Sequence, residues 1–254
     1  MRQGTIGLLM AASMAAGANH AAAQSTPWYD GIFANVSIGG QGGSDRLSRT
    51  QTFPIYEETA SITSSREVKG GPFFDLVVGR PIRRPFGAAL AYSRRADDRG
   101  GSVEGSVPDP IVFDAPRPVT ATVGGLRHRE HWVALLGVWQ YRLPWFELDL
   151  MVMAGPALVK VENDQVGDVT VTEGAGGPQL TTTTTRIRRT RTGGVVIADV
   201  QYFLVENVGI RWFRLDAVGI GGFVRYARAT AGLLDNQRLQ VGGVQGGGGL
   251  RIKF

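Results

Sequence analysis

The feature that most limits what this chain can fold into is a period of two. Eight stretches carry apolar residues at alternate positions: 28–40 (WYDGIFANVSIGG), 71–82 (GPFFDLVVGRPI), 85–95 (PFGAALAYSRR) and 130–143 (EHWVALLGVWQYRL), then 145–161 (WFELDLMVMAGPALVKV), 192–205 (TGGVVIADVQYFLV), 208–216 (VGIRWFRLD) and 239–254 (LQVGGVQGGGGLRIKF). Successive side chains of a strand point to opposite faces, so this alternation predicts two-faced strands. The stretches are also rich in Val, Ile, Phe, Tyr and Trp, which suit a pleated surface. In the fifth, Phe146, Leu148, Leu150, Val152 and Ala154 share one face, while Glu147 and Asp149 share the other with Met151 and Met153. In the sixth, Val196, Ala198, Val200, Tyr202 and Leu204 oppose Asp199 and Gln201. The seventh is less regular: Arg211 opposes Trp212, but Phe213 and Leu215 break the pattern.

The connections alternate in length. Short ones fall near 83–85, at Pro144 and at Glu206 and Asn207; long ones cover 41–70, 96–129, 162–191 and 217–238. Structureless loops of that size count against a compact soluble domain. Short turns at one end and long loops at the other are the norm for a barrel in an outer membrane, where lipid outside and a polar interior also produce the two-faced pattern. The expected fold is therefore all-β: a closed antiparallel transmembrane β-barrel of eight strands, with short periplasmic turns, long extracellular loops and both termini periplasmic. Ten strands result if part of 221–234 pairs as a hairpin. A soluble periplasmic binding β-protein is the alternative fold.

The first residues agree with export. Arg2, an apolar run and the tract Ala21, Ala22, Ala23 have the order of a secretory signal. The expected division is a signal peptide at 1–23 and a barrel domain at 24–254. No stretch has the 18 consecutive apolar residues of a helical span, and there is no cysteine. The net charge of +5 is mild, and its basic residues are not interleaved with a stacking platform, so nucleic acid is not an expected partner. Aromatic residues gather near the short-turn ends: Trp28, Tyr29, Phe86, Tyr141, Trp145, Phe146, Tyr202, Phe203 and Phe254. Such a girdle belongs at a lipid–water interface.

With the leader, the eight alternating stretches, the unequal connections and the final "LRIKF" in view, the chain resembles the small outer-membrane β-barrel proteins of Gram-negative bacteria, of the OmpA and opacity types. The resemblance covers the chain from 24 onward. It implies that Leu250, Ile252 and Phe254 form the signal read by the barrel assembly machinery. It implies an outer-membrane location, with lipid and lipopolysaccharide as partners. The OmpA type's peptidoglycan-binding domain is not expected here, because the last strand ends the chain.

Chemistry is sparse. Of three histidines, His128 and His131 lie in "GLRHREHW" with Glu130 between them. A Ser-His-acid set with Ser93 is conceivable, but no local motif supports it. Histidines three apart on a strand face opposite ways, which argues against a metal site. No cofactor is expected. Charges predicted on or near the interior face are Asp75, Arg142, Glu147, Asp149, Asp199, Arg211, Arg251 and Lys253. Eight strands leave room only for side chains, so these charges should form an ion-pair network, with Glu147 and Asp149 facing Arg211 or Arg251. Arg186, Arg188, Arg189 and Arg191 in "TTTTTRIRRTR" are candidate contacts for lipopolysaccharide phosphates, with Arg94, Arg95, Arg127 and Arg129 at similar depth. The expected function is a monomeric, non-enzymatic outer-membrane barrel that supports the envelope and displays loops toward lipopolysaccharide or acidic polysaccharide. The alternatives are a lipid-A-modifying enzyme and a small channel.

Overall fold

The structure, a computed structural model, describes residues 31–143, 145–210, 213–232 and 238–254. The predicted leader at 1–23 lies outside them, as do Trp28, Tyr29 and Arg211. Ten strands form one antiparallel sheet: β1 (Phe33–Gln41), β2 (Ser44–Ile55), β3 (Glu58–Lys69), β4 (Pro72–Arg83), β5 (Phe86–Val107), β6 (Arg117–Leu143), β7 (Leu148–Gly174), β8 (Gly177–Ile210), β9 (Phe213–Gly232) and β10 (Arg238–Lys253). Among the described residues no helix is long and apolar enough to cross a membrane.

Eight of these strands hydrogen-bond in a ring. β1 pairs with β4 on one side and β10 on the other. The ladder continues from β4 through β5, β6, β7, β8 and β9 back to β10. The remaining two, β2 and β3, form a hairpin between β1 and β4, and β3 docks on the far half of β5 through Ser61↔Ser106 to Ser65↔Ser102. The tenfold strand count thus comes from 44–69 and not from 221–234.

Two expectations are corrected. β8 continues past Glu206 and Asn207, and its ladder with β9 runs out to Ile210↔Phe213. Residues 208–210 therefore belong to the end of β8 and 213–216 to the start of β9, which continues to Gly232. The reason is visible in parity. Val218, Ile220, Val224 and Tyr226 alternate with buried Ala217, Phe223, Arg225 and Ala227, but the glycines among them dilute the contrast. The long connections are also not irregular, as the alternation of Thr with Arg and Ile at 181–191 already allows for one of them. β5, β6, β7 and β8 run to 22, 27, 27 and 34 residues, and their polar Thr, Ser and Arg positions carry the ladders onward.

The packing has two parts. Inside the ring a main cluster includes Phe33, Phe73, Trp132, Leu136, Met153, Ile197 and Phe223, with Phe73 and Phe223 edge to face at 5.9 Å. Beyond the ring, β2, β3 and the end of β5 lean toward β6 and β7. There Ile62, Val103, Val123, Leu126, Val166 and Val169 form a second cluster, with Phe53 packed against it. The outer face of the ring is apolar and exposed: Ile38, Phe74, Val78, Leu90, Leu135, Leu158, Val200, Ile220, Val224 and Leu250 all point away from the interior.

Candidate functional site

The interior is a stack of charged and polar layers held by strands on opposite walls. Nearest the short turns, Lys253 Nζ lies 2.7 Å from Asp149 Oδ2 and 3.8 Å above the Phe203 ring. Arg142, level with Asp149 across the β6–β7 ladder, stands 3.9 Å from it. Next, Arg251 donates to both oxygens of Asp199, at 3.0 and 2.6 Å, and to Ser37 Oγ at 2.8 Å. Above that, Arg225 Nη1 donates to Asp75 Oδ1 at 2.6 Å, and its guanidinium lies 5.9 Å from the centre of a Trp132 ring. Asp75, Asp199, Arg225 and Arg251 are fully buried. A buried charge without a partner is very costly, so the strands are cross-braced by these pairs.

Farther along, one continuous polar network crosses the barrel. Glu130 accepts from Arg95 Nη1 at 2.8 Å and from Trp132 Nε1 at 3.0 Å, and its Oε1 lies 2.9 Å from His128 Nε2. His128 Nδ1 is 3.1 Å from Asn163 Oδ1, which also accepts from Arg66 Nη1 at 3.1 Å. Arg66 further donates to the carbonyls of Asp164 and Leu126, both at 2.6 Å, and Arg95 donates to the Lys69 carbonyl. Burial pulls the Arg66 guanidinium below its ordinary value, against the opposing pull of Asp97 and Asp164. The network ties the β2–β3 hairpin to the ring.

Of the interior charges expected from parity, the structure brings Asp75, Arg142, Asp149, Asp199, Arg251 and Lys253 to the interior. Glu147 is exposed in the β6–β7 turn with φ of 52°, and it does not face Arg251, whose partner is Asp199. The residues that alternation did not single out are Arg66, Arg95 and Arg225. Arg225 sits between Val224 and Tyr226, a signal readable once that segment is taken as a strand. Arg95, expected at the depth of the rim cations, is buried inside because its parity on β5 matches that of Ser93 and Ala91.

The outer face carries a different arrangement. Register aligns Arg94, His131 and Lys160 across β5, β6 and β7, and one step farther Arg129 lies beside Glu162, which faces Arg188 on β8. These residues share the outward parity of the apolar band and cap it at one end. Glu162 lies 3.1 Å from Lys160 and 3.5 Å from Arg188. Arg186 makes a bidentate pair with Asp164, at 2.7 and 3.1 Å. Arg189 and Arg191 stand on the opposite parity from Arg186 and Arg188, so the four do not form one patch. His131 Nδ1 is 3.0 Å from the Tyr92 hydroxyl, on the face opposite His128. Ser93 is level with Trp132 on the inner face. No group of three or more metal-ligating side chains occurs among the described residues. At the turn end, Phe86, Tyr141, Trp145, Phe146, Tyr202 and Phe254 are exposed; Leu250, Ile252 and Phe254 share the outward parity.

No protein-family model and no curated protein matches the sequence. Among the solved structures that resemble it are two of Ail, the attachment invasion locus protein of Yersinia pestis, one of them in complex with the heparin analogue sucrose octasulfate. Each is 14% identical, covers 87% of this chain and 99% of its own, and has a TM-score of 0.35. The fold stands on the strand pairings themselves.

Proposed function

We propose that this chain is a non-enzymatic outer-membrane β-barrel protein: a plugged barrel that grips lipopolysaccharide at its rim and holds a stiff β-sheet outside the cell. The observation that carries this reading is the size of the outward apolar band. On β7 it runs from Leu148 to Leu158, ten residue steps, or about 33 Å along the strand. A tilt of about 40° reduces that to about 25 Å of height, the thickness of an outer-membrane barrel's lipid-facing belt. Exposed aromatic side chains mark the short-turn end of the band and cations mark the other, which orients the short turns to the periplasm. An open sheet edge is untenable in hydrocarbon, and the ring of pairings leaves none there.

Arg94, Arg129, Lys160 and Arg188 are placed where lipid phosphates would meet the barrel, and guanidinium groups bind phosphate bidentately. The interior pairs cross the bore at three levels, which favours this reading over a channel. The outward Leu250, Ile252 and Phe254 support recognition by the barrel assembly machinery, and the barrel acts as a monomer.

Membrane fractionation with heated and unheated gel lanes tests the core of the proposal. The expected result is an outer-membrane protein whose mobility changes on heating; extraction as a soluble protein without detergent would overturn it. The triple variant Arg94→Ala, Arg129→Ala, Lys160→Ala should retain less lipopolysaccharide on purification. A deacylase, acyltransferase or protease activity lost in His131→Ala would replace the non-enzymatic reading.

A further inference from the structure

Where β1 hands over to β2, the wall of the molecule has a seam. The β1–β10 ladder ends at Gln41↔Gln245, the chain turns through Gly42 and Gly43, and β2 pairs with β3 and forms no ladder with β10. Gly43, Gly242 and Gly243 adopt positive φ values of 94°, 97° and 120° around this point, a backbone that favours glycine. Above it a hydrogen bond of 3.4 Å from the Gln240 backbone N–H to Asp45 Oδ2 bridges the two strands. Behind the seam lies a cavity of about 490 Å³, whose lining includes Asp45 and Arg228 as well as Arg95, His128 and Glu130 from the interior network.

We propose that this cavity is a binding site for a small neutral polyhydroxyl solute, one or two sugar rings in size. The volume falls within the range of ligand pockets. Arg95 and Arg228 balance Asp45 and Glu130, so a net charge on the ligand gains nothing. Planar guanidinium, carboxylate and amide groups can donate to and accept from adjacent hydroxyls. Val68, Leu239 and Val241 add the apolar wall that the C–H face of a sugar ring requires. Arg95, 4% exposed, is fixed at the back of the cavity by donating to Glu130 Oε1 and to the Lys69 carbonyl. Gln41 is held in place by donating to the Gly242 carbonyl at 2.5 Å and accepting from Gln245 at 2.8 Å, which keeps the floor beside it fixed. The site is independent of the rim cations and of the membrane assignment.

The test is saturation-transfer NMR on the purified, folded full-length protein in a detergent that carries no sugar. The probes are glucose, galactose, mannose, N-acetylglucosamine and lactose, with glucuronate and glucosamine as charged counterparts. At least one neutral sugar should bind saturably and outcompete both charged ones. Asp45→Ala and Glu130→Gln should each weaken it by about tenfold, the loss of one hydrogen bond to a charged group, whereas Glu104→Gln should leave it unchanged. If Glu130→Gln does not fold, Asp45→Ala decides alone, because Asp45 is at the mouth and only half-buried. No saturable neutral sugar, a preference for glucuronate or glucosamine, or binding indifferent to Asp45→Ala would each overturn the proposal.

Discussion

Arg225 and Asp75 show what a single residue can carry in this interior. Both are buried, and each is the other's closest counter-charge, at 2.6 Å. Removing one strands the other, a loss on the order of 3–5 kcal/mol, whereas replacing both by apolar residues of similar volume is often neutral. Arg225→Ala should therefore lower the heat-induced gel-shift temperature in detergent markedly. The double variant Arg225→Met, Asp75→Leu should recover most of it, and equal losses in the two would show that the pair is not the source. Asp164 gives a pH signature instead. The Arg186 guanidinium, hydrogen-bonded to it, holds its carboxyl below the usual carboxylate range, and burial opposes this only in part. A carboxyl depressed on folding adds stability above its unfolded pKa of about 3.9 and loses it as pH falls through the lower folded value. Thermal melts of the unmodified protein and of Asp164→Asn should thus differ at neutral pH and converge below about pH 3.9.

At the scale of an element, β9 succeeds as a strand through what it leaves out. A Cβ at Gly221 would sit 2.7 Å from Arg251 Nε and 2.7 Å from the Val200 carbonyl oxygen, so glycine makes room for the buried guanidinium. At Gly222, on the outward face, the nearest atom would be the Gly247 carbonyl oxygen at 3.7 Å, an ordinary contact. Gly221→Val should then reduce the folded, heat-modifiable fraction, and Gly222→Val should not. Comparable yields from the two would mean that the interior of β9 is looser than its packing indicates. Residues 217–221 also show why alternation misplaces this strand: with only Ala217, Gly219 and Gly221 inside, this half of the inner face contributes little contrast, while 208–216 is apolar at both parities.

At the scale of the molecule, charged layers cross the bore at several levels, from Lys253 and Asp149 through Arg251 and Asp199 and Arg225 and Asp75 to Arg66 and Asn163, with the cavity beside the last of these. Eight strands enclose space for side chains and no continuous water column. The unmodified protein should show little or no steady conductance in planar bilayers, and a large, stable, ion-selective conductance would move the channel reading to first place. The sheet beyond the rim is braced to the barrel by Arg66 and Arg95, so its position follows from the same network that plugs the interior.

Alternation was enough to make the chain all-β and to separate inward from outward positions on most strands, because the period of two is a local property of each segment, and the three short connections added that neighbours are antiparallel. It also placed Asp75, Asp149, Asp199, Arg251 and Lys253 on the inner parity. It could not say that Asp199 meets Arg251 or that Asp75 meets Arg225, since parity specifies a face and only register specifies a height. The hairpin at 44–69, the ladders that extend the long connections and the seam beside Gln41 also depend on pairing between distant segments. Polar Ser, Thr and Arg positions read as loop until a neighbouring strand takes up their backbone hydrogen bonds, and the tertiary structure alone supplies that neighbour.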